Sequence, residues 1–188
     1  MRISGGSARG HKLRVPKSGV RPTPDRVREA LFSILYDKLE GANVLDLFAG
    51  SGSFGIEALS RGASHATFVE KNRKTTVILR ENLEAIGLIE QSKVFNTPAE
   101  RAIPQLALLE ERFDLCFLDP PYDAGILEKT FHKLSTTLLV AENGCVICEH
   151  HSQAEPPSAP EGWTLQQTRS YGDVTVSFYQ PQEDEEAA

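Results

Sequence analysis

Apolar residues cluster in short runs along most of the chain, and the runs alternate with longer stretches of helical spacing. Runs rich in Val, Leu, Ile and Phe at 43–47, 66–70, 93–95, 114–118 and 145–149 predict buried strands. Between them, segments near 53–61, 73–86, 99–109 and 125–138 carry apolar positions three to four residues apart, which predicts helices. Such alternation implies βαβ units: a parallel sheet covered on both faces, with right-handed crossovers. After residue 149 the pattern changes. A polar, proline-rich stretch at 150–162 leads into extended segments at 163–169 and 174–180, turning at Tyr171-Gly172-Asp173. These predict an antiparallel hairpin that completes a mostly parallel, seven-stranded sheet.

Ahead of the first strand, residues 2–15 hold two short extended stretches around Gly5-Gly6 and Gly10, which predict a β-hairpin with a flexible tip. Thr23 suits a helix N-cap and Pro24 the first helical position. Val27, Ala30, Leu31, Ile34 and Leu35 then repeat at helical spacing, so a helix of about three turns is expected, closed by Gly41. The expected organisation over 1–188 is one domain of the Rossmann-like α/β class. It has a basic hairpin-and-helix extension at 1–40, a core at 41–180 and a disordered acidic tail at 181–188. No internal repeat or linker interrupts it.

Charge sharpens this picture. The net charge is −6. Yet residues 1–28 carry Arg2, Arg9, Lys12, Arg14, Lys17, Arg21, Arg26 and Arg28 against the single acid Asp25, so that segment is +7 and the rest −13. Such asymmetry points to a polyanion at the basic end; a solvated arm is the plainer alternative. No apolar run approaches the ~18 residues of a membrane helix, and the start Met1-Arg2-Ile3-Ser4-Gly5-Gly6 has no apolar stretch of a signal peptide. A cytoplasmic protein is expected, with no membrane partner. Cys145 and Cys148 are separated as in a metal motif, but residues three apart on a strand face opposite sides. With Cys116 they are expected to be buried structural thiols, and no metal is expected.

Candidate chemistry begins at Asp46-Leu47-Phe48-Ala49-Gly50-Ser51-Gly52-Ser53-Phe54-Gly55, which joins the first strand to the next helix. Gly50 and Gly52 would let the backbone turn tightly and approach a ligand, and Gly55 would let helix and strand pack closely. Glu70 ends the next strand, where a carboxylate can accept the hydroxyl protons of a ribose. These glycines fit a dinucleotide as well as S-adenosylmethionine. Asp46 discriminates: it would repel a phosphate but favour an ammonium and a sulfonium.

The second motif is Asp119-Pro120-Pro121-Tyr122, at the end of the fourth strand. Two prolines stiffen the chain and remove two backbone donors. The Asp119 side chain and the Pro120 carbonyl can then accept hydrogen bonds from a target amino group, and Tyr122 offers a face on which a base stacks. The lone pair of an exocyclic nitrogen is drawn into the ring; acceptors on its hydrogens favour the pyramidal geometry that frees it. Asp119 is also placed to take the released proton.

These residues resemble the Rossmann-like methyltransferases that modify amino nitrogens. More narrowly, Arg21-Pro22-Thr23-Pro24-Asp25-Arg26-Val27-Arg28-Glu29-Ala30-Leu31-Phe32, the basic start and Tyr171-Gly172-Asp173 resemble the RsmD family of 16S ribosomal RNA guanine-N2 methyltransferases. The resemblance implies a S-adenosylmethionine cofactor and methylation of N2 of one guanine in 16S rRNA, with a small-subunit assembly particle as a candidate setting. It implies that Asp46, Gly50, Ser51 and Gly52 line the methionine end, Glu70 the ribose and Asn96 the adenine side. It places Asp119 to Tyr122 at the guanine, and Thr23 and Arg28 on a helix that covers the cofactor. Arg2, Arg9, Lys12, Arg14, Lys17 and Arg21 would then grip rRNA phosphates, positioning the RNA without reading sequence.

Three other readings stand beside it. An N6-adenine methyltransferase uses the same Asp-Pro-Pro-Tyr motif, although the length leaves little room for a separate target-recognition region. A nicotinamide-dependent oxidoreductase would leave Asp46 and Asp119–Tyr122 unexplained. An RNA-binding module without catalysis would use only the basic arm.

Overall fold

A computed structural model describes residues 1–16, 24–121 and 125–182 of the chain. Seven strands form one sheet: β1 (Asn43–Asp46), β2 (His65–Val69), β3 (Ser92–Phe95), β4 (Phe113–Leu118), β5 (Val140–His151), β6 (Trp163–Tyr171) and β7 (Val174–Pro181). Their order is β3-β2-β1-β4-β5-β7-β6. The first five run parallel, and β7 joins β5 and β6 antiparallel. This is the Rossmann-like arrangement with a closing hairpin that the alternating pattern predicts.

Helices α1 (Asp25–Ile34), α2 (Ser53–Ser60), α3 (Arg73–Ala85), α4 (Ala99–Leu108) and α5 (Ile126–Ser135) complete the order. Two buried clusters form, one on each face of the sheet. One joins Ile3, Leu31, Phe32, Leu79, Phe117 and Ile147, and so gathers the N-terminal segment, α1, α2 and α3. The other joins Ile103, Phe131, Leu134, Cys116, Val146 and Cys148 beneath α4 and α5. Both faces being covered explains why the central strands read as unbroken apolar runs. No helix among the described residues is long and apolar enough to cross a membrane.

Three expectations need correction. β5 starts at Val140, five residues before the expected 145: Val140 already pairs with Phe113, and Glu142-Asn143-Gly144 interrupts the apolar run between that pair and the next, Cys145 with Leu115. A register shift between Phe113 and Leu115 absorbs the irregularity. α1 starts one residue later than expected: Pro24 occupies the N-cap, and its carbonyl accepts from Val27 and Arg28. Thr23 lies outside the described residues. The N-terminal hairpin reduces to one antiparallel bridge, Arg2 with Lys12.

The tip of that N-terminal loop is docked rather than loose. The Ser7 N–H donates to the Ser60 carbonyl at 2.6 Å, and the Ala8 N–H donates to Ser60 Oγ at 2.9 Å. A Cβ at Gly6 (φ 76°) would collide with the Ser60 carbonyl, so this approach requires glycine.

One buried carboxylate ties both residues 4–5 and α1 to α2. Glu57 on α2 is 1% exposed. It accepts from the Ser4 N–H, the Ser4 hydroxyl, the Gly5 N–H, Arg28 Nε at 3.2 Å and Arg61 Nε at 2.8 Å. Arg28, fully buried, also donates to the Arg2 carbonyl and to Asp25. Burial works to raise the Glu57 pKa, but the Ser4 bonds, Arg61 and Arg28 outweigh it and hold the group below its ordinary 4.5.

Removing one partner of such a buried network leaves the other charges uncompensated. Glu57→Ala is expected to lower unfolding stability by about 3–5 kcal/mol in denaturant titrations and to expose residues 2–12 to protease. A depressed folded-state pKa gives stability that is complete above 4.5 and is lost as pH falls through the folded value. Glu57→Gln should flatten that acid limb; an unchanged acid limb would contradict the assignment.

Candidate functional site

The loop after β1 is anchored to both neighbouring strands. Leu47 N–H donates to the Phe117 carbonyl at 3.1 Å, and Ala49 N–H to the Val69 carbonyl at 3.0 Å. Gly50 and Gly52 adopt φ of 54° and 92°. A Cβ at Gly52 would run into Leu79 and Ile56, and one at Gly55 into the Phe68 ring. A Cβ at Gly50 would meet nothing within 4 Å, so there the backbone faces open space. Tight turn, open approach and close helix packing thus fall on the three glycines as their spacing suggests.

Asp46 is 1% exposed. Its Oδ2 accepts the Gly55 N–H at 3.1 Å, while its Oδ1 is buried with no hydrogen-bond partner among the described residues. Burial drives its pKa up to about 7; the Gly55 and Phe48 N–H groups oppose the rise, and the charge of Glu70 adds to it. A buried carboxylate oxygen without a partner is costly unless a cation or donor faces it. This corner suits a positively charged ligand group.

Glu70 follows β2 and is gripped from two sides: Gly50 N–H donates to Oε2 at 3.0 Å and Asn72 N–H to Oε1 at 2.7 Å. A carboxylate offers about four acceptor positions, so room remains for two hydroxyl donors. Asn96 follows β3. Its amide donates to the Glu70 carbonyl at 2.9 Å, the Lys71 carbonyl at 3.1 Å and Thr76 Oγ1 at 3.1 Å. Asn96 therefore ties the end of β3 to the Glu70 turn. Its amide hydrogens are spent on that turn.

The register brings the two motifs together. β1 and β4 are adjacent, with Asp46 opposite Phe117. Asp119 follows two residues later, half-buried, with Pro120 buried and Pro121 exposed. Phe117 stacks on Phe54 of α2 with centroids 5.2 Å apart and lies 5.7 Å from Phe32 of α1, which fixes both helices over this strand end. Tyr122 lies outside the described residues.

A cavity of about 310 Å³ opens beside Pro120 and Pro121, lined further by Leu127, Glu149, His150 and His151. Cys148 pairs with Leu118, so the next residues stand abreast: Asp119 just past β4, and Glu149 two residues before the end of β5. Glu149 is 7% exposed. Burial lowers the pKa of His150, against the carbonyls around it, so its ring is neutral near pH 7. Nε2 lies 3.0 Å from Ser177 Oγ.

Among the described residues, no group of three or more His, Cys, Asp or Glu could hold a metal ion. Cys116, Cys145 and Cys148 are free and buried, and Cys145 and Cys148 enter opposite clusters as strand geometry requires.

Arg2, Arg9, Lys12 and Arg14 are exposed. Arg2 also donates to the Gly10 carbonyl at 3.0 Å, and Arg14 pairs with Glu81. Lys17 and Arg21 lie outside the described residues. Arg28, expected over the cofactor, is turned inward onto Glu57.

Sequence reasoning missed Glu57, Asn82 and Glu149. A signal existed for each: a polar residue on an otherwise apolar stripe or strand. Asn82 falls on the buried face of α3 with Thr75, Leu79 and Leu83.

Comparison with known proteins shows the family. The family described as "Conserved hypothetical protein 95" matches residues 1–180. Ribosomal RNA small subunit methyltransferase D of Escherichia coli is 38% identical over 181 residues, covering 96% of this chain and 89% of the relative. Its namesake in Haemophilus influenzae is 37% identical, covering 96% and 93%. A solved Escherichia coli structure, named as a candidate methyltransferase, superposes with a TM-score of 0.88 at 35% identity, covering 98% of this chain and 99% of that one. A Thermus thermophilus structure of a hypothetical protein gives 0.82 at 36% identity, covering 95% and 98%. The chain belongs to this family, that of the small-subunit ribosomal RNA methyltransferase D proteins.

Proposed function

We propose that the protein transfers a methyl group from S-adenosylmethionine to the exocyclic N2 of a guanine in 16S rRNA. The observation that carries the reading is the β1–β4 register, which sets Asp46 one strand away from Asp119-Pro120. The names of the relatives support rRNA of the small subunit as the substrate class.

The residues present fit the cofactor. The orphaned, buried Oδ1 of Asp46 calls for a positive group, and Glu70 retains acceptor capacity for ribose hydroxyls. S-adenosylmethionine supplies the electrophilic methyl on a sulfonium. Asp119 and the Pro120 carbonyl accept the two hydrogens of the target amine, hold its lone pair toward the methyl donor, and Asp119 takes the released proton. Alignment of this kind contributes up to about 7–11 kcal/mol.

Glu149 supports guanine over adenine. Beside the amine held by Asp119 and Pro120, guanine presents an N1–H donor, which the Glu149 carboxylate accepts. Adenine presents an N1 lone pair there, which a carboxylate repels. A paired guanine hides N2 in the minor groove, so the target is looped or flipped out. Exposed Arg2, Arg9, Lys12 and Arg14, with Lys17 and Arg21, supply phosphate contacts. The arm is short, and a small-subunit assembly particle that presents the loop would complete the grip.

Transfer of labelled methyl to small-subunit rRNA tests the reaction. Asp119→Ala should cut the rate by about 10²–10³ while S-adenosylhomocysteine affinity stays within a fewfold; an active variant would refute the assignment. Asp46 ties the cofactor to pH. Its raised pKa means that the free protein loses stability as pH rises from 3.8 to about 7, since ionisation is easier in the unfolded chain. A cation prefers the ionised form, so S-adenosylmethionine affinity should rise with pH through about 7. Asp46→Asn should remove that pH dependence and weaken binding by about tenfold, the equivalent of one pKa unit. Calorimetry across pH 5.5–8.5 reads both effects.

A further inference from the structure

We infer that Asn82 is a positioning residue that couples the basic arm to the glycine loop, so that rRNA and S-adenosylmethionine tighten each other's binding. The inference rests on the arm being the RNA grip proposed above.

Asn82 sits on α3 and is 3% exposed. Its Oδ1 accepts the Arg14 N–H at 2.9 Å, and its Nδ2 donates to the Arg14 carbonyl at 3.0 Å. The side chain thus pairs with both backbone groups of Arg14, as a neighbouring strand would. Its other amide hydrogen goes to the Ser51 carbonyl at 3.0 Å. One buried amide therefore touches the arm and the glycine loop at once.

Each end of this connection matters. Ser51 lies between Gly50, whose N–H holds Glu70, and Gly52, the left-handed residue that starts α2. Both neighbours are glycines with positive φ; within the loop the Ser51–Gly52 peptide is held only through its N–H, which donates to the Ala49 carbonyl at 2.7 Å, while its carbonyl points to Asn82. Asn82 supplies the restraint from outside. Arg14 carries an exposed guanidinium in the +7 segment, close in sequence to Lys12 and Arg9.

The geometry requires an amide. Aspartate accepts but does not donate, and would set a carboxylate against two carbonyls. Leucine does neither. A buried three-way bond of this kind holds best when all three partners are still. RNA that orders the arm backbone at Arg14 steadies the amide, and the amide steadies Ser51 against the cofactor. Linkage makes the effect reciprocal: the factor by which RNA tightens the cofactor equals that by which the cofactor tightens RNA.

The test measures S-adenosylhomocysteine affinity by calorimetry with and without naked small-subunit rRNA. The unmodified protein should bind about 5-fold tighter or more in the presence of RNA, the lower end of usual coupling. Arg14→Ala keeps the backbone bonds, so it should weaken RNA binding and leave that factor unchanged. Arg14→Pro removes the N–H that Asn82 accepts and should bring the factor close to one, with its melting curve showing that the fold is kept. Asn82→Asp should do the same and weaken the cofactor even without RNA. A factor of one in the unmodified protein, or equal factors in Arg14→Ala and Arg14→Pro, would overturn the inference. Failure of the arm reading shows differently: Arg9→Ala and Lys12→Ala would leave RNA affinity unchanged.

Discussion

Parallel pairing of β1 with β4 is the constraint from which the site follows. Asp46 opposite Phe117 means that the loop after β1 and the Asp119-Pro120-Pro121 turn leave the sheet side by side. A shift of one residue would send Asp46 to the opposite face of the sheet, since side chains alternate along a strand. The register is held from above by Phe54 and Phe32 on Phe117, and from the side by the backbone bond from Leu47 to Phe117. Aromatic packing and strand pairing therefore fix where the proposed donor and acceptor meet.

A second buried charge keeps the positive segment on an otherwise acidic protein. Glu57 and Arg28 leave water together, and the Ser4 and Gly5 groups satisfy the remaining acceptors. The pair is valuable less for raw stability than for specifying where residues 2–12 lie. Asn82 does the equivalent for Arg14 at the far end of the loop. Residues 2–14 are thereby docked on the helices, with Arg2, Arg9, Lys12 and Arg14 exposed.

The backbone chemistry of the site was largely legible in the sequence. Glycine spacing, Asp46 and Glu70 at strand ends and the double proline each carry a steric or electrostatic requirement that few residue types meet. The five parallel strands and the closing hairpin were legible too, because burial on both faces leaves continuous apolar runs. The start of β5 was not, since Glu142 and Asn143 lie exposed in an irregular stretch between the pairs Val140–Phe113 and Cys145–Leu115, where polarity is tolerated. Nor was the docked N-terminal loop, whose order comes from side chains 50 residues away on α2. Asn82 and Glu149 illustrate the remaining gap: a single polar residue in an apolar pattern signals a buried partner without naming it. Only the packing shows that the partners of Asn82 are Arg14 and Ser51.

Nucleoside mapping of small-subunit rRNA from cells lacking the protein tests the central claim most directly. The account predicts the loss of one N2-methylguanosine, restored by the intact gene and not by a copy carrying Asp119→Ala. An unchanged set of methylated guanines, or the loss of a methylated adenine instead, would contradict it.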